Sequence, residues 1–237
     1  GTKETVQVIL SNGQRVTTTP DHRILIGDVW VEASATSGAA LSTSIGPGDW
    51  SGDDSFSQED LIKLGYMQGD GGFHEAGGMY AYIGQNDQDV DKLFSDYIAH
   101  DGDRYLPVGD RLVLEAIRLG LKDTKLPDRA LPSNLWGLSS KSVRYFLRGL
   151  YSANGSVLDP KYGRVTLKST SRRLIEEVQT LLIALGFKPY ITTNKPSTIK
   201  WPNGVYTSRQ SYDLNISKSE AKGFSSIGFV QKYKTSR

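Results

Sequence analysis

Two stretches with the same outline constrain the fold of this chain more than any other feature. Residues 63–71 read KLGYMQGDG, and residues 147–155 read LRGLYSANG. Small residues occupy the third, seventh and ninth places of both stretches, and the eighth place holds an aspartate in the first and an asparagine in the second. The shared pattern predicts two helices of the same type, each ended by a glycine that releases the chain.

The glycines inside the two stretches predict that these helices touch. A glycine in a helix interior costs about 1 kcal/mol relative to alanine. Gly65 and Gly149 stand at matching places, which favours a packing reason for both: two helices that cross with their backbones close together. Asp70 and Asn154 then point out of the two helix ends. For either stretch alone, an ordinary helix with a glycine stop is the alternative interpretation.

The segments around the two stretches predict an α+β fold with an internal repeat. Each stretch is followed by two strands, a helix, two strands and a helix, clearly in the second copy and more faintly in the first. We therefore expect two pseudo-symmetric αββαββα units. The predicted boundaries are a β-rich segment at 1–33, a linker at 34–56, a first unit at 57–138 and a second unit at 139–237.

Shorter signals predict local structure. Ser57 is expected to cap the first motif helix. Asn12-Gly13, between two runs rich in β-branched residues, predicts a type I′ hairpin turn. The apolar spacing over residues 89–100 predicts one continuous helix, and the Pro- and Gly-containing residues 195–208 are predicted to be a loop.

The charges are divided unevenly along the chain. Residues 1–110 hold 6 Lys and Arg against 18 Asp and Glu, whereas residues 111–237 hold 22 against 8. A basic segment of this size favours a polyanion partner, because Lys and Arg that face phosphates release condensed counterions. Two solvated faces of opposite charge are the alternative. The chain has no cysteine, which excludes a thiol nucleophile, a disulfide framework and a Cys-type zinc site.

In the two motif stretches and the repeated outline, residues 57–233 resemble the LAGLIDADG homing endonucleases in their single-chain, two-motif form. The resemblance implies that the motif helices pack at a pseudo-two-fold axis and that two β-sheets form a saddle over the DNA major groove. It also implies a monomer that cuts a long, asymmetric double-stranded target. The implied cofactor is Mg²⁺ or Mn²⁺, with Ca²⁺ as a substitute that does not support cleavage.

The resemblance also assigns metal-binding residues. The acid at the end of each motif binds metal together with a neighbouring backbone carbonyl, which places Asp70 with Gly69 in the first site and Asn154 with Ala153 in the second. Asn154 departs from the family pattern, because its neutral amide offers one oxygen and an NH₂ group that cannot bind metal. Natural decay of one site and a deliberate substitution are both open explanations.

A basic residue accompanies each catalytic site in this family. Arg129, which precedes Leu131-Pro132, stands where the family often has a lysine. An arginine can offset charge on a phosphate but is a poor proton shuttle; a loop arginine in solvent is the alternative interpretation. Lys218 is the expected catalytic counterpart in the other half, with Asn215 as the alternative.

Contacts to DNA are expected from the strands of both units. Because alternate residues of a strand point to one face, Arg164, Thr166 and Lys168 can share one surface. A charged outer sheet face without DNA is the alternative. The full expected set is Tyr80, Tyr82 and Gln85 in the first unit and Lys161, Arg164, Lys168, Arg209 and Gln210 in the second.

The first 33 residues contain Thr19-x-x-His22 within predicted β structure. Followed by a linker and the two-motif unit, this segment resembles the Thr-x-x-His block of inteins, whose side chains polarise the N-terminal scissile peptide bond. The terminal blocks of an intein are missing from the sequence. We therefore expect that the chain does not splice by itself and that the remaining intein segments lie elsewhere in the precursor.

These features give candidate functions of different classes. The first is a divalent-metal-dependent, sequence-specific DNA endonuclease of an intein, impaired or limited to nicking by Asn154 and associated with DNA in the cytoplasm. The second is a DNA-binding LAGLIDADG module that no longer cuts, either a degenerate nuclease or a regulator. An RNA maturase is a third, since the same fold also serves intron splicing.

Overall fold

The computed structural model describes residues 1–41, 43–73, 78–84, 87–95, 97–100, 103–106, 109–158, 163–201 and 204–235. This part of the chain contains both helices and strands, which agrees with the predicted α+β class. No helix within it combines the length and the apolar character that a membrane span requires.

Two short antiparallel hairpins form the N-terminal segment. β1 pairs with β2, and β3 pairs with β4. A 3₁₀ turn at Ala33–Ala35 follows the second hairpin. The four strands are β1 (Val6–Ile9), β2 (Arg15–Thr18), β3 (Arg23–Ile26) and β4 (Val29–Glu32).

The turn between β1 and β2 is wider than the predicted type I′ turn. Ile9 pairs with Arg15, and the amide of Gly13 donates a hydrogen bond of 2.9 Å to the carbonyl of Leu10. The connection is therefore longer than two residues. Gly13 has φ of 91°, a left-handed conformation that glycine adopts at no steric cost.

The tip of this turn is docked against the C-terminal part of the chain. The carbonyl of Asn12 accepts hydrogen bonds from the amide of Ile191 at 3.0 Å and from Nε2 of Gln179 at 2.8 Å. Arg15 lies 3.4 Å from the carboxylate of Glu176. The type I′ prediction was wrong because such long-range contacts, which select the wider turn, leave no signal in the local sequence.

The described part of residues 57–138, called the first half below, contains α-helices and a four-stranded antiparallel sheet. Ser57 caps the first helix as predicted, since its hydroxyl accepts a hydrogen bond of 3.1 Å from the amide of Asp60. The elements are α1 (Gln58–Asp70), β5 (Gly71–Phe73), β6 (Met79–Tyr82), α2 (Gln88–Leu93), β7 (Ile98–His100), β8 (Asp103–Leu106) and α3 (Arg111–Leu119).

The second half, residues 139–237, contains a second four-stranded antiparallel sheet and a separate hairpin. Its elements are α4 (Ser140–Asn154), β9 (Gly155–Leu158), β10 (Arg164–Ser169), α5 (Arg172–Ala184), β11 (Tyr190–Asn194), β12 (Thr198–Trp201), β13 (Gly204–Thr207), β14 (Ser211–Ile216), α6 (Lys218–Ala221) and α7 (Lys232–Thr235). Further 3₁₀ turns lie at Leu126–Asp128, Ser133–Gly137 and Gly223–Ser226.

The two four-stranded sheets have the same strand order. The first runs β5-β6-β8-β7 and the second runs β9-β10-β14-β11. If β12 and β13 are set aside, both sheets place their strands in the order first, second, fourth, third. Strands β12 and β13 pair with each other and, among the described strands, with no other; in sequence they lie between β11 and β14.

Two further local predictions were wrong. The helix expected over residues 89–100 ends at Leu93, and Ile98–His100 instead forms strand β7 beside β8. The aromatic rings of Phe94 and Tyr97 pack edge to face with centroids 4.7 Å apart. The apolar spacing that fits a helix is therefore used by a turn that leads from α2 into strand β7. Residues 195–208, expected to be a loop, contain the β12–β13 hairpin.

Residues 46–54, predicted as part of a linker, are held against α4 and α5. The amides of Gly46 and Gly48 donate hydrogen bonds to the carbonyls of Ile183 and Ala184 at the end of α5, at 2.9 and 3.0 Å. Composition does not reveal this contact, because backbone groups make it on both sides. We call residues 46–54 the strap.

The strap also completes the start of α4. The indole nitrogen of Trp50 donates a hydrogen bond of 2.9 Å to the carbonyl of Leu138. The carboxylate of Asp54 accepts hydrogen bonds from the hydroxyls of Ser139 and Ser142. A carboxylate at a helix N-terminus is favourable, since the helix dipole places partial positive charge there.

Helices α1 and α4 cross at the two matching glycines, as the sequence predicts. A Cβ on Gly65 would lie 1.9 Å from the carbonyl oxygen of Phe146, and a Cβ on Gly149 would lie 1.9 Å from that of Ile62. The backbone of each helix thus occupies the space that a side chain on the glycine of the other helix would need. Since the obstruction is backbone on both sides, it cannot be relieved by a side-chain rotation.

Gly65→Ala and Gly149→Ala are each expected to destabilise the fold by about 2 kcal/mol or more, because the new methyl group must push the two helices apart. Thermal or urea unfolding measures the loss. Gly137→Ala is the matched control, since a Cβ there has no atom within 4 Å. An unchanged or raised melting temperature in both helix variants would contradict the close crossing.

Candidate functional site

The crossing brings the ends of α1 and α4 side by side. A Cβ on Gly69 would lie 2.5 Å from Cβ of Ala153 and nearer still to Oδ1 of Asn154. The last residues of the two helices, Asp70 and Asn154, are therefore neighbours in space although the sequence separates them widely. These helix ends form the candidate site.

Asp70 is a partly buried acid with no hydrogen-bond partner among the residues that the structure describes. Burial raises the pKa of its carboxyl above the ordinary value, and the charges of Arg129 and Lys234 oppose this rise. A carboxylate without donors, close to two cations, is available to a ligand that carries positive charge or to a proton.

Arg129 holds the end of α1. Its guanidinium donates hydrogen bonds to the backbone carbonyls of Gln68, at 2.7 Å, Gly69 and Gly71. Burial lowers the pKa of Arg129, while Tyr80 and Asp70 act in the opposite direction. The carbonyls at a helix end lack partners within the helix, so Arg129 both closes the helix and places its charge beside Asp70.

Lys234 holds the end of α4 in the same way. Its ammonium group donates hydrogen bonds to the carbonyls of Ser152, at 2.9 Å, and Gly155, at 3.0 Å. Burial lowers the pKa of Lys234, and the charges of Asp87 and Asp70 raise it. The structure thus sets one cation at each motif helix end, and Asp70 interacts with both.

Lys234 was missed by the sequence analysis, which assigned this place to Lys218 or Asn215. Lys218 lies beside Gly163, where an added Cβ would be 3.0 Å from its Cγ. Asn215 is buried in the sheet, at 1% exposed, and accepts a hydrogen bond from Thr166. The available signal was positional, since Arg129 and Lys234 each lie close to the end of their half of the chain.

The oxygen atoms at the helix ends fit a hard cation. Oδ1 of Asn154 is buried without a hydrogen-bond partner, and the carboxylate of Asp70 is also open. Oxygen donors suit Mg²⁺. The carbonyl of Gly69, expected to be a ligand, already accepts a hydrogen bond from Arg129. Among the described residues there is no group of three or more His, Asp or Glu side chains that could hold a metal ion. The charged oxygen donor at the helix ends is the carboxylate of Asp70.

Residues 141–227 match the LAGLIDADG-like domain family. The match runs from the first turn of α4 to the residue after the last 3₁₀ turn. It includes Asn154 and the second sheet, whereas Asp70, Arg129 and Lys234 lie outside it. A LAGLIDADG domain indicates a homing-endonuclease-like or related DNA-binding function.

The residues expected to contact DNA differ in their exposure and in their contacts. Tyr80 is half-buried and lines one cavity of about 420 Å³ together with Arg129 and Arg209. Tyr82 is 60% exposed. Gln210 is exposed and donates a hydrogen bond to the hydroxyl of Tyr212.

The basic residues of β10 are arranged in part as expected. Arg164 donates a hydrogen bond of 3.4 Å to the hydroxyl of Tyr190, and Lys168 is exposed. Thr166, between them on the same face, is only 5% exposed. Lys168 also lines a small cavity with Gly69, Arg129 and Asn154, which brings it to the helix ends. Two further expected residues, Gln85 and Lys161, lie outside the described residues.

Thr19 and His22 lie on the connection between β2 and β3. The amide of His22 donates a hydrogen bond of 3.1 Å to the carbonyl of Thr19, and its own carbonyl accepts one of 2.8 Å from Ala33. The side chain of His22 is exposed. These two residues are far along the chain from the candidate site and are not among the residues that contact it.

Asp70→Asn is expected to raise the melting temperature near pH 7. Because burial raises the pKa of Asp70 in the folded chain, the ionised carboxylate destabilises the fold above that pKa, by about 1.4 kcal/mol for each unit of displacement. The gain should shrink as the pH falls from the raised folded pKa towards about 4, and it should vanish below about 4, where the carboxyl binds a proton in both the folded and the unfolded chain. Thermal unfolding from about pH 3 to about pH 8 measures it.

Asp54→Asn is the control with the opposite sign. Hydrogen bonds from Ser139 and Ser142 lower the pKa of Asp54, so its ionised form stabilises the fold above the unfolded pKa and that contribution is lost in acid. The Asp54 variant should melt at a lower temperature near pH 7 and converge with the parent in acid. A loss of stability near pH 7 in the Asp70 variant would overturn the sign given for Asp70.

Proposed function

We propose that this chain is a site-specific DNA endonuclease in which Asp70 is the one complete catalytic acid. The observation that carries the proposal is the meeting of Asp70, Arg129 and Lys234 where the two crossed helices end. Two cations placed around one acid can bind a phosphodiester, because they offset the negative charge of the phosphate while the acid binds a metal ion or accepts a proton.

The residues of the site have separate roles in this proposal. Asp70 and Oδ1 of Asn154 hold a divalent cation. Arg129 and Lys234 orient the phosphate and stabilise the charge that develops on it. A bound Mg²⁺ or Mn²⁺ supplies an activated water and stabilises the leaving oxygen. Because Asn154 contributes no charge, the site favours cutting one strand, and we propose that nicking is the activity of the chain as it stands.

The two halves are proposed to be pseudo-symmetric LAGLIDADG repeats in a protein that acts as a monomer. The shared strand order and the reciprocal glycine contacts support this. The β12–β13 hairpin supports a long, asymmetric double-stranded target, since the described residues of the first half hold no counterpart of it. Its strand Gly204–Thr207 is exposed throughout.

The N-terminal hairpins are proposed to be part of an intein splicing domain. Thr19-x-x-His22 on their central connection supports this origin. Two-stranded hairpins are marginally stable alone, and large apolar side chains here remain exposed, which suits a surface that further β structure covers. These side chains are Ile9, Val16, Leu25, Val29 and Trp30.

A DNA-binding module without nuclease activity is the second candidate function. Asn154 favours it, because the amide oxygen is a weaker ligand for a hard cation than the carboxylate that the family places there. Cleavage and binding assays on the same target separate the two candidates. Binding without any nick in Mg²⁺ or Mn²⁺ would favour the module.

Asn154→Asp is expected to convert nicking into double-strand cleavage. The added carboxylate increases the negative charge available to a divalent cation at the second helix end. The assay follows supercoiled, nicked and linear forms of a plasmid that carries the target. Asp70→Asn in the parent should abolish nicking and leave binding intact. The two-acid account fails if the Asn154→Asp variant binds its site and yields no linear product.

Binding is expected to depend steeply on salt and on the second sheet. Affinity should fall by about 10³ or more between about 50 and about 200 mM salt if six or more phosphates are contacted. Lys168→Gln should weaken binding to all sequences and reduce the slope of log affinity against log salt by about 1.

Lys141→Gln is the matched control for this prediction. Lys141 is also exposed but lies in the first turn of α4, about 20 Å from Asn154 along the helix at 1.5 Å per residue. Its substitution should leave the salt slope unchanged. Equal losses in the two lysine variants, measured by fluorescence anisotropy, would count against a binding surface centred on the second sheet.

A further inference from the structure

We propose that Gln231 and Asp87 form a tether between the two halves that positions Lys234 at the end of α4. This inference deepens the proposed nuclease function and rests on it for the role of Lys234. Gln231 and Asp87 are positioning residues, because neither belongs to the set that would touch DNA or metal. The segment that carries Lys234, residues 229–235, is called the C-terminal arm.

The tether is a pair of hydrogen bonds from one buried amide group. Gln231 is 1% exposed. Its Nε2 donates to Oδ2 of Asp87 in the first half, at 2.7 Å, and to the carbonyl of Ser152 in α4, at 2.8 Å. Lys234 donates to that same Ser152 carbonyl. Gln231 therefore fixes the arm at the atom to which the functional cation is bound.

Two backbone amides of the C-terminal arm, beside the tether, also bind the first half and α4. The amide of Lys232 donates a hydrogen bond of 2.9 Å to Oδ2 of Asp89, and the amide of Val230 donates one of 2.8 Å to the hydroxyl of Ser152. Asp87 and Asp89 both belong to the start of α2 in the first half. The arm of the second half thus lies between the first half and the end of α4.

Arg129, the cation of the first half, is anchored by residues of the second half. Ser171 donates a hydrogen bond from its hydroxyl to the backbone carbonyl of Arg129, and Glu177 accepts one of 2.6 Å from the amide of Leu131. Ser171 and Glu177 belong to the start of α5 and its first turns, in the second half. Each cation is therefore carried by one half and anchored by the other.

The anchoring residues occupy the same place in the two halves. Asp87 is the N-cap of α2, with Oδ1 accepting from the amide of Val90, and Ser171 is the N-cap of α5, accepting from Leu174. Both helices follow the second strand of their sheet. The two anchors therefore cross the boundary between the halves in opposite directions.

The atoms of Asp87 allow the tether to be broken without loss of the cap. In Asp87→Asn, Oδ1 can still accept from Val90, whereas an NH₂ group now faces Nε2 of Gln231. Gln231→Glu breaks the same bond from the other side with nearly the same shape. It also removes the bond to the Ser152 carbonyl, because Nε2 donates both bonds. In the double variant the Asn amide can donate to the Glu carboxylate, so the bond is restored with its direction reversed. Lys232→Ala is the control, since Lys232 contacts Asp89 through its backbone.

The first measurement is hydrogen exchange of the C-terminal arm by mass spectrometry, which needs neither DNA nor metal. We expect both single variants to exchange about tenfold faster over residues 229–235, the double variant to recover at least in part, and Lys232→Ala to match the parent. Unchanged exchange in the single variants overturns the tether. This result stands whether or not the chain proves to be a nuclease.

The second measurement separates rate from binding. If Gln231 positions Lys234, nicking by the single variants should fall about 10- to 100-fold, as for other residues that orient a functional group from outside the site. The dissociation constant for target DNA should stay unchanged, and the double variant should regain part of the rate. The positioning role is overturned if the single variants exchange faster over the arm and still nick at the full rate. It is also overturned if they lose nicking rate and DNA affinity to the same extent. A parent that never nicks refutes the nuclease proposal instead.

Discussion

The close crossing of α1 and α4 is the constraint on which the rest of the structure depends. At Gly65 and Gly149 each helix meets a backbone carbonyl of the other in the space where a side chain would be. This contact sets the separation of the two helix axes, and the helix ends follow from it. Asp70 and Asn154 become neighbours because the helices that carry them cannot lie farther apart without losing buried contacts on both faces.

A buried acid at this point is unfavourable for folding, and the surroundings only partly compensate for it. Burial raises the pKa of Asp70 although two cations interact with it. The cations do not form ion pairs with its carboxylate; they donate instead to backbone carbonyls at the helix ends. The carboxylate is therefore left open at a cost in stability, which is a common property of functional sites and rare in residues that serve only the fold.

The sequence predicts those features whose cause is local. The cap at Ser57, the motif helices and the glycine crossing all follow from residues near each other or from the comparison of two similar stretches. The type I′ turn at Gly13 and the helix expected over residues 89–100 were wrong because docking and strand pairing outweigh local preference.

The candidate site shows the same division between local and distant causes. Asp70 and Asn154 were predicted from the two motifs, and Arg129 was predicted from the family resemblance; the structure brings all three to the helix ends. Lys234 was not, since its place depends on Gln231 and Asp87, which are distant from one another in the sequence. A lysine in a short C-terminal helix has no local property that marks it as part of a site assembled by other segments.

The strap has a practical consequence for the use of this unit in protein engineering. Residues 46–54 occupy backbone groups at the end of α5 and side chains at the start of α4, although they precede the first motif helix in the chain. A unit containing the two crossed helices, transplanted from this protein into another scaffold, must therefore carry the strap with it. A graft begun at Ser57 would leave one helix end open and another without its acidic cap, in the half that matches the LAGLIDADG-like family.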